Sequence, residues 1–120
     1  MRRSVLLGSC VLTVVFAMAA PRSITYASAQ NAELVKKGQE VYDAQKCSMC
    51  HGIAGKGSKM NPLDGVGAKL SAEDIRTWIT DPATMTAKAK STKKPPMPKK
   101  WSTLPAAELD ALVAYMQSLK

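Results

Sequence analysis

The sequence predicts a single domain of the all-α class. Three segments, at residues 31–46, 71–80 and 105–119, place their apolar residues at helical spacing. No stretch shows the period-two alternation that is typical of a half-buried strand. A chain of 120 residues provides one domain at most, so we expect the three helices to share one core.

The first predicted helix runs from Asn31, a plausible N-cap, to about Lys46. Gly38 stands at an i+4 position of its apolar stripe, where glycine costs about 1 kcal/mol relative to alanine. Close approach by another helix would explain a glycine at this position. The apolar residues of the stripe are Leu34, Val35, Val41 and Tyr42.

The other two predicted helices have clearer boundaries. Residues 71–74 read Ser-Ala-Glu-Asp and resemble a capping box, and the helix that follows should end near Thr80, before Asp81-Pro82. The last helix runs from about Pro105 to Leu119, because proline is well tolerated in a first turn. Its apolar stripe consists of Leu109, Leu112, Val113, Met116 and Leu119, with Tyr115 beside it.

Two long stretches carry no helical pattern and are predicted to be loops. Residues 52–70 are rich in glycine, and residues 83–103 carry six lysines around Pro95-Pro96-Met97-Pro98. The prolines preclude a regular helix and stiffen the backbone on both sides of Met97. Irregular segments of this length in a small domain usually have a functional reason.

The sequence Cys47-Ser48-Met49-Cys50-His51 has the C-x-x-C-H pattern that attaches a c-type haem covalently. Two thiols three positions apart on a helical turn point in similar directions, so both can add to vinyl groups on one edge of a porphyrin. The next side chain, His51, can then offer an imidazole nitrogen to the iron. It is the only histidine in the chain.

The same two cysteines also have other possible functions. A C-x-x-C pair can belong to a zinc site or to a thioredoxin-like redox dithiol. A zinc site would need two further ligands, and the remaining cysteine, Cys10, lies far upstream. A redox dithiol would need a βαβ context, and no strand pattern surrounds the motif.

A haem with one histidine ligand leaves a sixth position on the iron, and methionine is a candidate for it. Met49 and Met60 lie too near His51 along the chain to reach the opposite face of the ring, and Met116 is expected in the core. Met97 and Met85 remain, and we favour Met97 because the surrounding prolines lower the entropy cost of fixing its sulfur. We expect Trp78 in the core, with its indole N–H within reach of a haem propionate.

The start of the chain predicts export. A positively charged start, an apolar run from Val5 to Ala20 and a small-x-small site at Ala27-Ser28-Ala29 form a signal peptide over residues 1–29. Cleavage after Ala29 would leave residues 30–120 as the haem domain. We expect this domain in the periplasm or at the outer face of the cytoplasmic membrane, with an uncleaved anchor as the alternative.

The charge of the chain indicates a protein partner. The formal net charge is +8, and 14 basic residues against nine acidic ones remain after residue 29. Nucleic acid is a poor partner for an exported protein, so we expect the basic surface to meet an acidic redox partner. A merely solvated basic surface is the alternative.

From residue 31 to residue 120 the chain resembles a small monohaem class I cytochrome c. The attachment motif, Trp78-Ile79, Asp81-Pro82, Met97-Pro98 and the last helix with Leu112 and Tyr115 carry the resemblance. It implies three to four helices wrapped around one covalent haem, with the first and last helices crossing at Gly38. It also implies that the carbonyl of Pro62 accepts a hydrogen bond from His51, which would fix the imidazole tautomer.

The function that follows is a one-electron carrier and not an enzyme, with His51 and Met97 as axial ligands. One alternative is a haem subunit of a larger respiratory or dehydrogenase complex, including a membrane complex. The other is a peroxidase or gas-binding haem protein, which would need distal acid–base groups that no second histidine supplies.

Overall fold

The computed structural model describes the backbone of residues 23–120 and the side chains of residues 31–120. This part of the chain is mostly helical, which confirms the predicted all-α class. Its helices are α1 (Ser23–Ala44), α2 (Val66–Lys69), α3 (Ala72–Thr80), α4 (Pro82–Lys88) and α5 (Ala106–Ser118). Two 3-10 turns, Cys47–Met49 and Lys99–Thr103, and a short antiparallel pair, β1 (Gly52–Ile53) and β2 (Lys56–Gly57), complete the elements.

Helix α1 begins earlier than the sequence pattern predicts. The predicted start at Asn31 is wrong, because the helix already includes Ser23. Residues 23–31 contain neither proline nor glycine, and an asparagine does not by itself interrupt a helix. The end at Ala44 lies close to the predicted one, and the left-handed backbone of Lys46 (φ 56°) separates α1 from the attachment motif.

Helices α1 and α5 cross at Gly38, as the resemblance implies. A Cβ atom at this position would overlap the backbone carbonyl of Ala111, so only glycine permits this approach. The rings of Tyr42 and Tyr115 meet edge to face beside the crossing, with centroids 5.8 Å apart. The core around this contact consists of Val41, Tyr42, Ile75, Ile79, Trp101, Leu109, Leu112, Val113 and Met116.

Helix α3 has the predicted boundaries. The Ser71 hydroxyl accepts a hydrogen bond from the Asp74 N–H at 3.0 Å, and the helix ends at Thr80. The prediction that residues 83–103 are irregular is wrong at both ends. Pro82 opens α4, where a missing N–H has no cost, and a 3-10 turn forms at Lys99–Thr103. The irregular part is therefore confined to residues 89–98.

Residues 52–70 contain more structure than a loop. Strands β1 and β2 pair over two residues each, which is too short to produce a visible alternation in the sequence. Gly57 has a φ of +87°, and a Cβ atom there would overlap the carbonyl oxygen of His51. This ladder therefore holds the loop directly against the attachment motif.

Between residues 23 and 120, no helix combines the length and the apolar character that a membrane span requires.

Candidate haem-binding site

A cavity of about 710 Å³ opens beside the attachment motif. Its volume falls within the range of small-molecule and cofactor sites. The walls come from the end of α1, the attachment motif, residues 60–70, residues 91–101 and helices α3, α4 and α5. The apolar side chains in these walls include Leu63, Val66, Leu70, Ile75, Ile79 and Leu112.

The attachment motif forms a tight turn that presents both thiols and the imidazole to this cavity. The N–H groups of Cys50 and His51 both donate to the carbonyl of Cys47, at 3.1 and 3.0 Å. Cys47, Cys50 and His51 all line the cavity, and the two thiols are free. The structure thus brings together the three residues that the motif predicts.

The acidity of Cys47 argues against the redox-dithiol interpretation. Burial raises the pKa of this thiol to about 11, although Lys100 acts in the opposite direction. Disulfide oxidoreductases depend instead on a thiolate whose pKa is depressed. No group of three or more His, Cys, Asp or Glu side chains that could bind a metal occurs among the described residues, so the zinc interpretation gains no support either.

A backbone carbonyl orients the imidazole of His51. The Nδ1 atom lies 3.1 Å from the carbonyl oxygen of Asn61. Because a carbonyl can only accept, this hydrogen bond requires the proton on Nδ1 and leaves Nε2 with a free lone pair. Burial lowers the pKa of His51, which also favours the neutral ring that a metal ligand needs.

The prediction that Pro62 supplies this carbonyl is wrong by one residue. Pro62 and Gly52 form a parallel bridge, in which the Gly52 N–H donates to the Asn61 carbonyl and the Leu63 N–H donates to the Gly52 carbonyl. This register turns the carbonyl of Asn61, and not that of Pro62, toward the segment that contains His51. The sequence cannot specify the register of a single bridge in a loop.

The structure separates the two candidate thioethers. Met97 lies in the wall of the cavity that holds the thiols and the imidazole. Met85 is 5% exposed inside α4 and is not part of this wall. Met49, Met60 and Met116 also line the cavity, but Met49 and Met60 are 73% and 58% exposed at its rim.

Both tryptophans line the cavity, and sequence reasoning considered only Trp78. Trp101, in the 3-10 turn after Met97, is 8% exposed, and the ammonium of Lys100 lies 4.5 Å from its ring centroid. Its indole nitrogen is buried without a hydrogen-bond partner among the described residues, which is costly for a donor. The propionate contact predicted for Trp78 therefore has a second candidate. The signal in the sequence that could have drawn attention to Trp101 was a large aromatic residue within a lysine-rich segment.

These residues fit a covalently attached haem. One apolar cavity collects two thiols with the required spacing, an imidazole with an available Nε2 and a thioether on a separate segment. The family model for cytochrome c matches residues 35–120. The chain belongs to the cytochrome c family. Comparisons with curated proteins and with solved structures give no match.

Membership of this family confirms the resemblance and determines the cofactor. The cytochrome c domain binds a c-type haem covalently, and its iron serves electron transport. Members of the family are typically electron carriers. The predicted cytochrome c fold agrees with the helical architecture over the matched residues.

Proposed function

We propose that this cytochrome c is an exported one-electron carrier with His51 and Met97 as axial ligands. The observation that carries the proposal is that Met97 shares the cavity wall with Cys47, Cys50 and His51, whereas Met85 does not. The two ligands come from segments that are far apart in sequence, so the chain can approach the haem plane from both sides.

The residues around the cavity suit electron transfer without bond making. When bound, the haem supplies an iron that changes between the ferric and ferrous states. The Asn61 carbonyl holds the ring plane of His51, and the thioether of Met97 favours the ferrous state. The apolar walls exclude water and penalise the additional positive charge of the ferric state. The thioether and the apolar walls both raise the reduction potential.

Exposed lysines at the cavity mouth support an acidic redox partner. Lys46, Lys93 and Lys100 line the cavity and are exposed. Positive charge near the site of electron transfer would orient an acidic partner and speed its association, at the cost of sensitivity to salt. We propose that donor and acceptor both dock on this surface.

The proposed ligation can be tested with the absorption spectrum of the ferric protein. A methionine–iron bond gives a weak far-red band, which we expect in the native protein. Met97→Ala should abolish the band, and Met85→Ala, at a buried methionine outside the cavity wall, is the matched control. Persistence of the band in Met97→Ala together with its loss in Met85→Ala would move the sixth ligand to Met85.

Binding of carbon monoxide to the reduced protein separates electron carriage from gas binding or peroxidase chemistry. We expect little binding to the native protein, because Met97 would occupy the sixth position. Met97→Ala should bind carbon monoxide readily. Ready binding by the native protein would favour an open sixth site and would contradict the proposal.

A further inference from the structure

Two loops contribute to the wall of the cavity, and one side-chain hydrogen bond joins them. We call residues 58–63 the His-side loop and residues 89–98 the Met-side loop. The Nζ atom of Lys93 in the Met-side loop donates to the carbonyl oxygen of Met60 in the His-side loop at 3.3 Å. Both residues line the cavity.

The position of this hydrogen bond relates it to both proposed iron ligands. Met60 directly precedes Asn61, whose carbonyl orients His51. Lys93 precedes Met97 by four residues, within the same loop. The hydrogen bond thus connects the segment that holds the imidazole with the segment that carries the thioether.

The Met-side loop has few other polar attachments. Residues 92–96 make no backbone-to-backbone hydrogen bond with the rest of the described chain. Pro95 and Pro96 have no N–H to donate. Between the His-side and Met-side loops, the Lys93–Met60 hydrogen bond is the only one that the described residues form.

We propose that Lys93 is a positioning residue that keeps the Met-side loop closed and thereby keeps Met97 at the iron. The proposal rests on the His51/Met97 ligation proposed above. An added ligand can reach the sixth position only in molecules whose Met-side loop has opened. Its apparent affinity is therefore its intrinsic affinity multiplied by the fraction of open molecules. Loss of the Lys93 hydrogen bond raises that fraction.

The test is a titration of the ferric holoprotein with imidazole, followed by the change in the haem absorption spectrum. Imidazole is chosen because at about pH 8 it is mostly uncharged, so the loss of a lysine charge does not attract or repel it. A charge-assisted but long and exposed hydrogen bond contributes modestly. We expect Lys93→Ala to raise the apparent imidazole affinity about two- to ten-fold.

Two further variants separate the hydrogen bond from charge. Lys94→Ala removes the neighbouring exposed lysine, which forms no hydrogen bond with Met60, and should leave the imidazole affinity unchanged. Lys93→Arg keeps a donor and a charge and should restore most of the native value. Equal effects of Lys93→Ala and Lys94→Ala, or no effect of either, would overturn the proposal.

The far-red band of each variant before imidazole is added distinguishes failure of this inference from failure of the proposed ligation. If the native ferric protein lacks the band, the His51/Met97 ligation is wrong and the role of Lys93 is rejected with it. If the native protein has the band but Lys93→Ala binds imidazole no more tightly, the ligation stands and only the role of Lys93 is rejected.

Discussion

Replacing Gly38 with alanine tests the close contact between α1 and α5. In an open helix this change would stabilise the protein by about 1 kcal/mol, because alanine is the better helix former. Here the new methyl group would overlap the carbonyl oxygen of Ala111, a backbone atom that cannot rotate away. Overpacking typically costs about 1–3 kcal/mol, and a backbone obstacle favours the upper end of that range. We therefore expect the free energy of unfolding to fall by about 2 kcal/mol, since the gain in helix propensity offsets part of the strain.

Urea unfolding of the holoprotein, followed by far-ultraviolet circular dichroism, measures this loss. A destabilisation of this size would lower the melting temperature by about 10 °C in a domain of this length. The control is Gln39→Ala, at the neighbouring exposed position of α1, which should change stability by less than about 0.5 kcal/mol. A Gly38→Ala protein as stable as the native one would show that the helices do not pack as closely as the structure indicates.

Three further predictions concern association, pH and processing. The rate of oxidation by an acidic partner should fall as salt rises, and a salt-independent rate would reject docking through the lysines. Burial raises the pKa of Tyr42 to about 12, whereas an unfolded tyrosine titrates near 10, so the folded state retains a proton that the unfolded state releases between these values. The free energy of unfolding should therefore decrease as pH rises through this window. The decrease should be smaller for the Tyr42→Phe protein, and urea titrations at several pH values between 10 and 12 measure it in both proteins. Equal losses in both proteins would contradict this. The mass of the exported holoprotein should correspond to a chain that starts at Gln30 and carries one haem, and a mass that includes residues 1–29 would show that the signal is retained.

Local signals in the sequence predicted the parts of this molecule that depend on short-range chemistry. The attachment motif and the Ser71 cap each act within a few consecutive residues, so their geometry follows from spacing. The crossing at Gly38 came from the family resemblance, and the structure confirms it with an approach that only glycine allows. The predicted signal peptide lies largely outside the described residues and stays a prediction.

The features that the sequence did not predict depend on tertiary register or on the context of a neighbouring element. The His51 hydrogen bond falls on Asn61 because of the bridge between Gly52 and Pro62, and a shift of one residue in that bridge would change the acceptor. Helix α4 was hidden because prolines and lysines downstream gave the whole segment the composition of a loop. The burial of Trp101 depends on packing against the core, which its lysine-rich neighbours did not indicate.

The two proposed axial ligands are held in unequal ways, and this difference has a consequence for the iron. The His51 side is fixed by the β1–β2 ladder, the Gly52–Pro62 bridge and the Asn61 hydrogen bond. The Met97 side depends on proline stiffness, on the packing of a partly buried Met97 against the core and on one exposed hydrogen bond from Lys93. Segments with few buried contacts and exposed hydrogen bonds open at lower free energy than tightly tethered ones. We therefore expect the thioether, and not the imidazole, to leave first under mild denaturant. The far-red band should then disappear at a lower urea concentration than helical circular dichroism does, and coincident transitions would contradict this ordering.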